Sequence, residues 1–230
     1  MKVRLRFTKS GALVYIGHLD VMRYFQKLFR RAQIPVKYSE GFSPHQILSF
    51  SHPLPLGMES EGEYADVELE KTIDTKTAME NLARESVREI KILSFKQLPE
   101  KCENAMASVK AARYRVRFEG RLPFDDAEAA VRNFMSKDSI IILKKTKKNE
   151  NLTDIRPLIY ELEYDKETET IEMLISSGSR DNIKPELVLT AMTGSEENAG
   201  LPPLCITRID QYTLSGEELI SLDDIGSEII

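Results

Sequence analysis

Residues 13–57 read LVYIGHLDVMRYFQKLFRRAQIPVKYSEGFSPHQILSFSHPLPLG, and the plan of the first half of the chain follows from them. Leu19, Met22, Phe25, Leu28, Phe29 and Ala32 recur at helical spacing, which predicts a helix from about His18 to Ala32. Arg23, Lys27, Arg30 and Arg31 lie along its other side. Pro35 forbids continuation, Val36 to Ser39 begins a strand, and Gln46 to Phe50 reads as another. Between these apolar runs sits Glu40-Gly41-Phe42-Ser43-Pro44-His45, a polar, turn-rich loop whose side chains are expected to be presented rather than buried. All three histidines of the protein, His18, His45 and His52, fall inside the stretch.

On the N-terminal side, Val3, Leu5 and Phe7 alternate with Lys2, Arg4 and Arg6, the period of a strand with one buried face and one cationic outward face. On the C-terminal side, Tyr64 to Leu69 alternates again, Asp74 is a good cap for a helix over Thr75 to Val87, and Ile90 to Leu98 returns as a strand. The order β-α-β-β-α-β is a ferredoxin-like plan, in which two helices cover one face of an antiparallel sheet and leave the other available. Residues 99–111 are polar and are expected to link two domains. Beyond them Arg113 to Phe118, Asp125 to Ser136, Ser139 to Lys144, a hairpin around Asp165-Lys166, a helix between Pro185 and Gly194, and Cys205 to Leu214 repeat the plan. The expected fold is therefore α+β, with tandem ferredoxin-like domains at 1–98 and 112–214 and an acidic tail at 215–230.

Length and composition agree with two globular domains: 230 residues, ordinary apolar content and a formal charge of −5. No apolar run approaches the roughly 20 residues of a membrane span, and Met1-Lys2-Val3-Arg4 leads into a strand rather than a signal-peptide core, so a cytoplasmic protein without membrane partners is expected. Cys102 and Cys205 stand apart without metal-binding spacing, which predicts neither a disulfide framework nor a cofactor cluster. Charge is uneven. The first 50 residues hold nine basic residues against Asp20 and Glu40, while the last sixteen hold five acidic residues and no base. This polarity suits an anionic ligand at the front, with the acidic tail competing for the same surface.

At His18-Leu19-Asp20 followed by Arg23, and again at Tyr38-Ser39-Glu40-Gly41-Phe42-Ser43-Pro44-His45, the sequence resembles the radical-SAM-linked protein family. This is a bacterial family of unknown function encoded beside, or fused to, a radical S-adenosylmethionine protein. The fit continues through Leu54-Pro55-Leu56-Gly57, Glu59-Ser60-Glu61-Gly62-Glu63, Asp154-Ile155-Arg156-Pro157 and Asn182-Ile183-Lys184-Pro185-Glu186, spanning most of residues 2–213. The resemblance implies RNA or ribosome biology and a radical S-adenosylmethionine protein as partner. This chain has no three-cysteine cluster motif of its own, so the radical chemistry would belong to that partner.

These considerations define the candidate residues. His18 at a helix start can meet a phosphate held by the helix N-terminal amides with nearby arginines, or it can cap the helix or bond Asp20. Arg23, Lys27, Arg30, Arg31, Phe42, Ser43, His45 and Arg156 are the expected RNA-contacting set, with Asp20 and Glu40 in support. Phe42 is either a loop anchor in the core or a stacking platform for a base. The cations Lys144, Lys145, Lys147 and Lys148 are either a solvated run or an extension of the phosphate track. His18 and His45 are expected to share one open groove bordered by Arg23, with Asp20 or Glu40 orienting an imidazole, a geometry that would also allow acid–base cleavage of RNA. A fold-level similarity to CRISPR repeat-processing endoribonucleases points the same way. Glu40, His45 and His52, together with His18, are ligand types that suit zinc or a similar ion, but their spacing matches no known ligand pattern, so no metal is expected. RNA binding is the first expectation, and a protein adaptor presenting a substrate to the radical enzyme is the alternative.

Overall fold

The computed structural model describes residues 1–145, 150–178, 181–194 and 201–230. It is a mixed α+β protein of two compact units, Met1–Lys110 with Arg208–Ile230, and Ala111–Thr207. Residues expected to form a tail thus belong to the first unit, and the second unit lies within the chain of the first.

In the first unit, β1 (Lys2–Lys9) leads through a 3-10 turn into α1 (His18–Arg31), followed by β2 (Leu48–Phe50), β3 (Glu59–Glu68), α2 (Thr75–Glu85) and β4 (Ile92–Gln97). Strand β1 pairs antiparallel with β3 and β4, and β2 pairs antiparallel with β3 at Ala65–Val67. Helix α1 buries Val21, Phe25, Leu28 and Phe29. Leu19, expected in that stripe, is 60% exposed, because the buried face begins at Val21. Phe7, Phe25 and Phe50 interlock, with centroids of Phe7 and Phe25 4.5 Å apart and of Phe25 and Phe50 5.5 Å apart. Each such ring contributes about 1.5–3 kcal/mol by leaving water. Asp74 caps α2 as its position predicts, its Oδ1 accepting from Thr77 N at 2.8 Å. The strand expected over Val36–Ser39 is reduced to bridges from Val36 to Leu69 and from Tyr38 to Gln46.

The other face of this sheet is not open. The expected linker contains α3 (Ala105–Ser108), capped by Asn104, and the chain re-enters the first unit at Arg208 along β10 (Leu204–Ser215), followed by β11 (Glu218–Ser221) and a 3-10 turn at Leu222–Asp224. Tyr64, Ala105, Val109 and Leu222 form a small apolar cluster there. Arg4, expected in solvent, is buried and binds both oxygens of Asp66 at 2.7 and 2.9 Å, while Ala105 N donates to Asp66 Oδ2 at 2.8 Å. Arg6 faces Asp210 at 3.7 Å. Tyr64 donates its hydroxyl to Asp210; burial first, and then that carboxylate, push the phenol well above its ordinary pKa. Gly62 is required by close approach, since a Cβ there would lie 2.6 Å from Ile209 O and 2.7 Å from Asp210 Cα. The last residues are tied in: Gln97 and Ser227 exchange backbone bonds of 2.8 and 3.0 Å, and Ile229 joins the main core.

The second unit contains β5 (Ala111–Phe118), α4 (Ala127–Met135), β6 (Ile141–Lys145), β7 (Glu150–Asp154), β8 (Ile159–Asp165), β9 (Thr170–Ser176) and α5 (Pro185–Thr193). Strand β9 pairs antiparallel with both β5 and β8, whereas β6 and β7 form a separate two-stranded sheet. Strand β7 was not expected, because Glu150–Asp154 carries almost no apolar residue to mark it. Gly194 closes α5 at φ +67°, where a left-handed backbone favours glycine. Arg113 and Arg115 are spent on cross-strand pairs with Glu161 at 2.5 Å and Glu172 at 2.9 Å. Among the described residues no helix is long and apolar enough to cross a membrane.

Candidate functional site

Two places in the first unit gather the candidate residues. The first is the outer side of α1 with the loop that follows it. Arg23, Lys27 and Arg30 are exposed and lie at i, i+4 and i+7, hence along one edge of the helix. Asp20 pairs with Arg23 at 3.2 Å, a contact between largely exposed groups that is worth little. Arg31 is drawn aside to Glu85, whose carboxylate lies at 3.6 Å and whose carbonyl accepts from it at 3.2 Å.

The loop is closed by Ser39 N donating to His45 O at 2.8 Å, and Ser39 Oγ meets His45 Nδ1 at 3.0 Å. Those contacts hold His45 to its own loop. Glu40, Ser43 and Phe42 are exposed, Phe42 completely, so it is not a core anchor. Gln46, at the base of the loop, donates to the carbonyl of Gln26 at 3.3 Å and so ties the loop to the middle of α1. The base of the loop that carries Phe42 is thereby fixed to the helix that carries the basic edge.

The second place is a pocket at the start of α1, lined by His18, His52, Lys9, Ser51, Phe50 and Glu63 among others, and enclosing about 20 Å³. Helix α1 begins at His18 after Gly17, which has no side chain to cap it. The His18 ring stands edge-on to Phe50, 5.5 Å between centroids and 86° between planes, and Asp20 turns to Arg23 instead. His52 is held below its ordinary pKa by burial and then by the positive charge of Arg208, so it is neutral at pH 7. Arg208, 1% exposed, grips Glu63 with Nε at 2.9 Å and Nη2 at 2.5 Å, and donates to His52 O at 2.8 Å. The histidine that joins His18 here is His52, while His45 is not part of the lining.

Arg156 lies in the second unit, where its guanidinium donates to the carbonyls of Met135 at 3.2 Å and Ile159 at 3.1 Å. It works there as a brace for the turn after β7. Asp154 accepts the N–H groups of Ile140 at 2.9 Å and Arg156 at 3.0 Å, which hold its carboxyl below the usual range. Lys147 and Lys148 lie outside the described residues, and Lys144 and Lys145 fall in β6. Cys102 and Cys205 are half-buried free thiols. Among the described residues no group of three or more His, Cys, Asp or Glu side chains is placed to hold a metal ion.

Sequence reasoning missed Lys9, Ser51, Glu63 and Arg208. Lys9 carried a signal, because it shares the parity of Val3, Leu5 and Phe7 and so falls on the inward face of β1, and Glu63 closes one of the motifs quoted above.

Fold and site together define an α+β protein with a cationic, aromatic-tipped surface and a charged pocket at the head of one helix. The chain belongs to a family described as "uncharacterized protein conserved in bacteria" (DUF2344), whose profile matches residues 2–185. No curated protein matches the chain.

Proposed function

We propose that this protein binds single-stranded RNA on the side of its first unit formed by the outer edge of α1 and the Ser39–His45 loop. The observation that supports it most is the fully exposed Phe42, on a loop bonded through Gln46 to the helix that carries Arg23, Lys27 and Arg30. An exposed ring offers a stacking face to a base, and three cations at helical spacing follow a phosphate backbone. The neighbouring order β4–β1–β3 with β2 beside β3 also supports reading this unit as ferredoxin-like. Service to a radical S-adenosylmethionine enzyme, as an accessory that holds its RNA, belongs to the same reading and rests on the resemblance described above.

Fluorescence anisotropy with short single-stranded RNA across a salt series tests this. With three phosphates neutralised, log affinity falls against log salt with a slope of about −2 for a single strand. Phe42→Ala removes about 1–3 kcal/mol of stacking, and the triple change Arg23→Ala, Lys27→Ala, Arg30→Ala flattens the slope. Equal binding by the wild type and both variants refutes the proposal. Co-purification tests the partner: a stable complex with a radical S-adenosylmethionine enzyme and no bound RNA would replace RNA binding by an adaptor role.

A further inference from the structure

Lys9 is 3% exposed, yet its ammonium makes a single hydrogen bond among the described contacts, to Ile16 O at 3.1 Å, and no ion pair. An ammonium has three donors, and leaving a buried charge so thinly partnered is costly. Burial is the chief influence on it and lowers its pKa; the pull of Glu63 is second, and Arg208 works against that pull. Glu63, gripped by Arg208 Nη2 at 2.5 Å on both oxygens, makes no ion pair with Lys9. Lys9 lines the pocket at the head of α1. So does Ser51, whose Oγ accepts from Gln211 Nε2 at 3.0 Å and Tyr64 N at 3.4 Å and keeps its own hydrogen to give. At the head of α1 the amides of Asp20 and Val21 already give to Gly17 O at 3.0 and 3.1 Å, and Gly17 offers no side chain to cap the His18 amide before them, which adds a donor beside the pocket.

We propose that this pocket is a binding site for the oxygens of a phosphate monoester, held by Lys9, Ser51 and the head of α1, with His18 and His52 at its walls. The space of about 20 Å³ admits one water-sized group, so one phosphate oxygen enters and the rest of the group faces outward past the imidazoles. With Glu63 offset by Arg208, Lys9 supplies the net charge of the pocket, and a helix start favours an anion. A dianion placed there favours the protonated form of His52, reversing the influence of burial and of Arg208. The site is separate from the RNA surface proposed above and stands or falls independently of it. Its ligand is either the terminal phosphate of a nucleotide chain or free phosphate.

The test uses the full chain and inorganic phosphate at constant ionic strength, with chloride and acetate as controls, reading the imidazole proton–carbon resonances of His18 and His52. Saturable shifts of both are expected, with a dissociation constant of about millimolar or below, and with His52 moving toward its protonated position. Lys9→Met is expected to weaken binding at least about tenfold, the worth of one charged hydrogen bond. The same change is expected to leave the Tm in the absence of phosphate unchanged or higher, since it removes a thinly partnered buried charge. If that variant does not fold, the wild-type Tm decides: it must rise with phosphate and not with acetate or chloride. No saturable shift in the wild type, or equal affinity in Lys9→Met, overturns the proposal. A 5′-phosphorylated trinucleotide that binds more tightly than its 5′-hydroxyl counterpart identifies a chain terminus as the ligand, and equal binding identifies free phosphate.

Discussion

The basic side chains of β1 and those of α1 are alike in sequence and opposite in fate. Arg4 is buried and fully engaged with Asp66 and Arg6 faces Asp210, whereas Arg23, Lys27 and Arg30 stand in solvent with at most a weak partner. A count of charge over the first 50 residues treats them as equals. The structure divides them into charges that hold the fold and charges that are free to meet a ligand. A cationic strand face becomes structural when another segment of the same chain covers it, and here α3 and the Arg208–Ile230 segment do so.

The sharpest way to test that division is to remove one partner of a buried pair. Asp66→Ala leaves Arg4 uncompensated, and Glu63→Ala does the same to Arg208; each is expected to cost about 3–5 kcal/mol in urea unfolding. Replacing both members of a pair with apolar residues of similar volume should recover most of that loss. Next in size is Gly62→Ala, which forces β3 away from Ile209 and Asp210 and is expected to cost roughly 1–3 kcal/mol, with loss of the protection of β10 amides from exchange.

A smaller effect depends on pH. Because His52 is held below its ordinary value, the unfolded chain takes up its proton before the folded one does. Stability is therefore expected to fall as pH drops through about 6.5 toward the lower folded value, and His52→Asn should flatten that part of the profile. Smallest of all is the triple change on α1, Arg23→Ala, Lys27→Ala and Arg30→Ala. It is expected to move stability by no more than about 0.5 kcal/mol per site while removing the RNA binding proposed for this edge, the reverse of the pattern at Asp66.

Much of the local structure was legible in the sequence. The apolar spacing of Phe25, Leu28 and Phe29 located α1, Asp74 marked the start of α2, and Gly194 marked the end of α5, because caps and periodicity act over a few residues. The loop at Glu40–His45 and its exposure were legible for the same reason. What escaped was long-range. Nothing near Arg4 announces Asp66, and nothing near Glu63 announces Arg208. The polar residues at 99–111 gave no hint of α3, whose four residues are held by an Asn104 cap and by the side chain of Asp66. The pocket at His18 was half visible: the histidine stood out, but its neighbours come from β1, β3 and the segment before β3, which only the folded sheet brings together.

The return of the chain into its first unit also sets an order of events during synthesis. The stretch Met1–Lys110 leaves the ribosome first, yet Glu63 waits for Arg208 and the core waits for Ile229 until the second unit has been made. A nascent chain halted before Arg208 is therefore expected to present a protease-sensitive first unit. The usual N-to-C order of domain maturation is expected to be inverted, with the inserted unit complete before its host.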